Sequence, residues 1–202
     1  MTRTPADTAR RHRRPDHPIN AILYERWAPR AMSGEPVTRA ELDRVFEAAR
    51  WAPSSYNRQP WRFFYALRDD EYWNDFLGLL TPGNRSWAQN GGALIVIASR
   101  KTLEDGAESR THSFDAGAAW QNLALQGTSM GLVVHGMEGF DYEKARGVLA
   151  LPPELEVEAM CVIGRYGTEE ELPDKYRARE TPRDRRPIET FVRHGPFHAN
   201  TP

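Results

Sequence analysis

The sequence predicts one domain of the α/β or α+β sandwich class, and three observations carry that prediction. Short runs rich in β-branched and aromatic residues alternate with amphipathic segments that open on capping residues, the pattern of helices packed on a sheet. One run, ALIVIAS at 93–99, has no polar alternation, which places it in a sheet covered on both faces. The 202 residues amount to about 1.3 average domains, and a chain of this length buries enough surface to fold without disulfide or metal staples.

Residues 1–18 are rich in Arg and Pro and nearly devoid of apolar side chains, so a disordered, Arg-rich tail is expected, with the domain proper at 19–192 and a second tail at 193–202. Ile22, Leu23 and Arg26 lie at helical spacing in 19–27, and Pro29 discourages continuation. Thr38 and Glu41 form a capping box ahead of the stripe Leu42, Val45, Phe46 and Ala49. That helix should stop near Trp51, because Ala52 precedes Pro53. WRFFYAL at 61–67 is short and aromatic, hence a strand. Asp69 and Asp70 are expected to cap a helix through Leu80, broken by Thr81-Pro82-Gly83-Asn84. Residues 113–130 give the longest helical pattern, apolar nearly all round and stopped by Gly131, so it is buried on several sides by a large core or by a partner subunit. Short strands are expected at 132–134 and 157–163, with a helix opened by Asp141 between them; 188–192 is a last apolar, strand-like island.

The charges nearly cancel, 27 Lys and Arg against 28 Asp and Glu, which speaks against a nucleic-acid partner. Basic residues nonetheless concentrate at both ends, five arginines between Arg3 and Arg14 and six between Arg177 and Arg193. No stretch is long and apolar enough to span a bilayer, and the N-terminus lacks the apolar core of a secretory signal. A single cysteine, Cys161, allows no disulfide within the chain and fits a reducing cytoplasm. No hydrolase, phosphate-loop, dinucleotide or zinc signature is present, and no metal site is expected. His194 and His198 are four apart but flank Gly195-Pro196, where no helix is expected to align them.

The most distinctive segment is Ala52-Pro53-Ser54-Ser55-Tyr56-Asn57-Arg58-Gln59-Pro60-Trp61. Two hydroxyls, two amides and two prolines make a rigid, donor-rich turn that either satisfies its own backbone or holds a planar heteroaromatic ligand. Together with Arg26-Trp27-Ala28-Pro29-Arg30 upstream, this segment resembles the FMN-dependent nitroreductase family, and the likeness extends over about 19–192. The family's fold is an α+β three-layer sandwich: a central, mixed but mainly antiparallel sheet flanked by helices, with a C-terminal strand exchanged between subunits.

By that resemblance, Arg26 and Arg30 contact the flavin phosphate and ribityl chain, with Trp27 and Ala28 between them. Ala28 stands where the family has Ser, which leaves only backbone contacts there. Pro53, Ser54, Ser55 and Asn57 would reach the flavin of the other subunit, while Gln59 braces the loop and Trp61 packs in the core. Asn84 matches a ring-contacting Asn, with Trp87 a packing residue or a wall of the substrate cleft. Glu138 and Gly139 would aim backbone N–H groups at the flavin N5 and O4 edge, Gly139 permitting close approach or a positive φ. Arg183 and Arg185 match a basic pair on the phosphate, and Arg186 faces solvent. The implied protein is a homodimer with shared FMN sites, NADH or NADPH as reductant and ping-pong transfer to a nitroaromatic, quinone or enone, no side chain acting as acid or base. The rivals are a relative with oxidative or oxygen-dependent flavin chemistry and a non-enzymatic flavin-binding protein.

Overall fold

The computed structural model describes residues 4–196; residues 1–3 and 197–202, with His198 and most of the expected C-terminal tail, lie outside it. Four strands, β1 (Trp61–Leu67), β2 (Ala93–Arg100), β3 (Leu132–Met137) and β4 (Leu155–Arg165), form one sheet in the order β1-β2-β4-β3. All three pairings are antiparallel. β2 is buried along its length except at Arg100, as its unbroken apolar run requires.

Alternate side chains of the sheet enter two separate cores. On one face Ala93, Ile95, Ile97, Cys161 and Val134 meet Leu42, Val45 and Ala49 of α3 (Arg39–Arg50) and Ala116, Ala119 and Leu123 of α6 (His112–Ser129). On the other, Leu94, Val96, Met160 and Val162 meet Trp73 and Phe76 of α4 (Trp73–Leu77), Trp87 of α5 (Pro82–Ala88) and Ala145 of α7 (Tyr142–Val148). Helix layers on both faces make the α+β three-layer sandwich. The capping box is present, with Thr38 Oγ1 accepting from Glu41 N at 3.2 Å and Glu41 accepting from Thr38 N at 2.9 Å.

Four local expectations are corrected. The N-terminal segment is not a disordered tail: Pro5–His12 is a helix, α1, started by a Thr4–Asp7 capping box and docked on α2 (Ala21–Glu25). Its few apolar residues hide this docking from hydrophobic patterning: beside the buried Pro5 and Ala9, polar contacts hold α1, Trp27 donating to Pro5 O at 2.8 Å and Arg10 pairing with Glu25 at 2.7 Å. Thr81-Pro82-Gly83-Asn84 does not end structure but opens α5, with Pro82 in the first turn, where its missing N–H costs nothing. The preceding helix is accordingly only α4. The island at 188–192 is a 3₁₀ turn, Ile188–Thr190, rather than a strand, and Ile188, Phe191 and Val192 are exposed.

Candidate flavin site

Two stretches of chain about 150 residues apart converge on one cavity of about 590 Å³. Arg26, Trp27, Ala28 and Arg30, which follow α2, form one wall; Arg183 and Arg185, on the arm after α8 (Asp174–Arg177), form the other. Arg13, His135 and Arg179 also line it. The Arg26 guanidinium is desolvated, and that burial, with Arg185 beside it, lowers its pKa from the usual arginine value. Its Nε is buried without a hydrogen-bond partner. A concave, strongly cationic surface with an unsatisfied donor fits an anion with several acceptor oxygens.

Trp27 turns its ring toward α1, where its Nε1 bonds Pro5 O, and packs edge-on against Tyr166 at 6.4 Å. Arg30 lies over the rings of Trp87 and Tyr176, at 5.7 and 5.4 Å from their centroids. Glu180 fixes the backbone behind it: its fully buried carboxylate accepts from Arg30 N at 2.5 Å and Ala31 N at 2.9 Å. Burial raises the Glu180 pKa, opposed by those two N–H groups and by Arg30. His135, on β3, packs against Trp87 with centroids 4.5 Å apart and the rings tilted by 41°, and donates from Nδ1 to Pro29 O at 2.9 Å. Its pKa falls to about 4, mainly through burial, with Arg30 and Arg26 adding to the effect, so the ring is neutral at pH 7. The charge of the cavity therefore belongs to its arginines.

A second cavity of about 400 Å³ shares Arg26 and Ala28 with the first and is lined beyond them by Met137, Glu138, Tyr142 and Trp120. Beside it the turn at Gly139 is pinned by three donors on one carbonyl: Thr81 N at 3.1 Å, Thr81 Oγ1 at 3.0 Å and Asn84 Nδ2 at 3.0 Å. Asn84 and Gly139 are thus brought together, Asn84 spending an amide N–H on the turn. Gly139 serves close approach rather than positive φ: a Cβ there would stand 2.8 Å from Asn84 Nδ2. Trp87 is a buried packing residue, 1 % exposed.

The loop at 53–61 lies apart from both cavities. It is strained, with Tyr56, Asn57 and Gln59 at φ of 51°, 56° and 49°, and strain of this kind clusters at functional sites. Ser54 Oγ accepts from Gln59 N at 3.0 Å and Gln59 Nε2 donates to Asn57 O at 2.9 Å, so Gln59 does brace the turn; Trp61 is buried. Pro53, Ser54, Ser55 and Asn57 do not join Arg26 and Arg183 within one chain. Asp115, which sequence reasoning missed, anchors the loop by accepting from Ser55 N at 3.1 Å. It falls on the buried face of α6, where a carboxylate was a visible signal. Arg13, Glu180 and His135 were missed as well, because their roles depend on contacts remote in sequence.

Among the described residues no group of acids, histidines and cysteine could hold a metal, and no helix is long and apolar enough to cross a membrane. Residues 23–165 match the model of the nitroreductase family. A solved oxidoreductase containing FMN is 38% identical, superposes with a TM-score of 0.89, and is covered over 99% of its length by 98% of this chain. MhqN of Bacillus subtilis, provisionally named an NAD(P)H nitroreductase, is 23% identical over 206 residues, 85% of this chain and 95% of its own. The oxygen-insensitive NADPH nitroreductase of Helicobacter acinonychis is 34% identical over 64 residues, 32% of this chain and 30% of its own. With its sandwich fold and a family match over most of its length, the chain belongs to the nitroreductase family.

Proposed function

We propose that the protein is an FMN-dependent NAD(P)H oxidoreductase that works as a homodimer with its FMN sites shared between subunits. The observation that carries this reading is the convergence of Arg26, Arg30, Arg183 and Arg185 on one cavity, beside a second that shares Arg26 and Ala28 with it and is lined by Glu138. When bound, the flavin supplies two-electron chemistry at N5, accepting hydride from NADH or NADPH and passing electrons to a nitroaromatic, quinone or enone.

The chain's residues bind and orient. Arg26, Arg30, Arg183 and Arg185 would hold the terminal phosphate, and the unpartnered Arg26 Nε supports that role. The pinned Glu138–Gly139 turn would offer backbone N–H groups to the ring edge where negative charge develops. Asn84 supports the turn through Gly139 O. Pro53, Ser54, Ser55 and Asn57 would complete the partner's site, which accounts for a strained, donor-rich loop set away from the arginine cavity of its own chain. The wholly buried Cys161, its thiol pKa raised by desolvation, is removed from redox chemistry and suits a cytoplasmic setting.

Heat-released cofactor should run as FMN in chromatography, and FAD alone would refute the assignment. Replacing Arg183 and Arg185 together by Gln should weaken FMN binding by several kcal/mol, each charge-assisted contact being worth roughly 1.5–3 kcal/mol. Full flavin occupancy of that double variant at micromolar protein would make them surface arginines. Steady-state turnover with NAD(P)H and a nitroaromatic separates this reading from a flavin-binding protein without activity.

A further inference from the structure

Arg13 is only 7% exposed, and its guanidinium is engaged with backbone carbonyls. Nε donates to Arg183 O at 3.0 Å, while Nη1 donates to Tyr24 O at 2.8 Å and Arg26 O at 2.7 Å. One planar fork therefore ties together the two chain segments that carry Arg26 and Arg183. Among the described residues no carboxylate comes within ion-pair distance of it. Burying a cation without a carboxylate against it is unfavourable, and here Arg185 and Arg26 stand close enough to add repulsion, which Asp184 opposes in part. Burial first, then those two neighbours, bring the Arg13 pKa down to about 10, so it keeps its charge at pH 7. α1 delivers this residue to its place: the helix is held by Trp27 on Pro5 O and by Arg10 on Glu25, and Arg13 is its C-cap.

We propose that Arg13 is a positioning residue for the phosphate end of the flavin site, clasping the backbones of Arg26 and Arg183 and adding its charge to a cavity that it also lines. The N-terminal helix is then part of the cofactor site, and the bound dianion is what offsets the repulsion among its arginines. This inference rests on the flavin reading above.

FMN and riboflavin differ only in the phosphate, so the pair isolates this role. Fluorescence-quenching titrations of the flavin-free, full-length protein with each should show Arg13→Met lowering FMN affinity about tenfold or more. Riboflavin affinity should change by less than about twofold, the phosphate being its one missing part. Arg13→Lys keeps the charge but not the fork that bridges three carbonyls, and should lose an intermediate amount of FMN affinity only. Should Arg13→Met fail to fold by circular dichroism, Arg13→Lys carries the same comparison. Equal losses for both flavins would make α1 a general brace and overturn the proposal, as would FMN affinity unchanged in the variant that folds. A wild-type protein that binds neither flavin defeats the flavin reading itself, and that failure is seen before any variant is compared.

Discussion

His135 couples the stability of the fold to pH. Held between the Trp87 ring and Pro29 O, it titrates near 4 in the folded protein, against about 6.5 in an unfolded chain. The unfolded state therefore binds the extra proton first. The stabilisation is fully present above about pH 6.5 and is lost as pH falls toward 4, roughly 3 kcal/mol in all. Denaturation of the wild type and of His135→Gln between pH 7.5 and 4 should show the wild type's advantage shrinking by about that amount. A constant difference would mean that the ring is already charged in the fold. Glu180 poses a different test, since its Oε1 serves two backbone N–H groups. Glu180→Gln retains an acceptor and drops the buried charge, so it should change stability by less than about 1 kcal/mol. Glu180→Ala orphans both N–H groups and should cost about 2–4 kcal/mol in urea unfolding. Equal costs for the two variants would show that those bonds contribute nothing.

At the scale of elements, the seat of α6 on the sheet depends on Gly127. A Cβ there would lie 2.3 Å from Val134 Cγ2, so Gly127→Ala forces α6 off β3 or Val134 off its rotamer, a cost of about 1–3 kcal/mol. Val134→Ala should recover much of that loss in the double variant, because the two changes share one contact. Additive losses in thermal unfolding would place the strain elsewhere. Elements such as α6 and β2 were legible in the sequence because periodicity and an unbroken apolar run are local signals. So were the arginine pairs and the loop at 53–61, as words of sequence. α1 was illegible because its docking uses polar contacts, Trp27 to Pro5 O and Arg13 to Arg26 O, that hydrophobic patterning cannot register. α5 was hidden for a different reason: Pro82 and Gly83 read as breakers anywhere except in a first turn. The clustering of Arg13 with Arg183 depends on contacts across 170 residues, and nothing in either segment announces it.

For the whole molecule, the decisive matter is how much apolar surface one chain leaves uncovered. Phe114 on α6 is 80% exposed and Phe191 67%, with Ile188 and Val192 beside the latter and Ile19 and Leu23 on the facing segment. Ile19, Leu23, Ile188 and Phe191 line a single groove of about 500 Å³. Charged side chains, Arg14, Asp16, Asp184 and Arg186 among them, rim these apolar groups, and an apolar centre with a charged rim suits a subunit interface, of which an obligate dimer buries upwards of roughly 2,000 Å². The segment from Ile188 lies just beyond the arginines of the first cavity, so removing it leaves Arg183 and Arg185 in the chain. If it packs on a second copy and helps to complete a shared flavin site, the truncated protein should sediment largely as monomer at micromolar concentration. On the shared-site reading the flavin band should then fall with the dimer, since a ligand bound only by the dimer is lost with it. Sedimentation velocity read at both protein and flavin wavelengths resolves the alternatives. A flavin-loaded monomer would sink the shared-site model, and a fully loaded dimer would show that the segment beyond Pro187 is dispensable and that the interface is built from α6 and the loop at 53–61 instead.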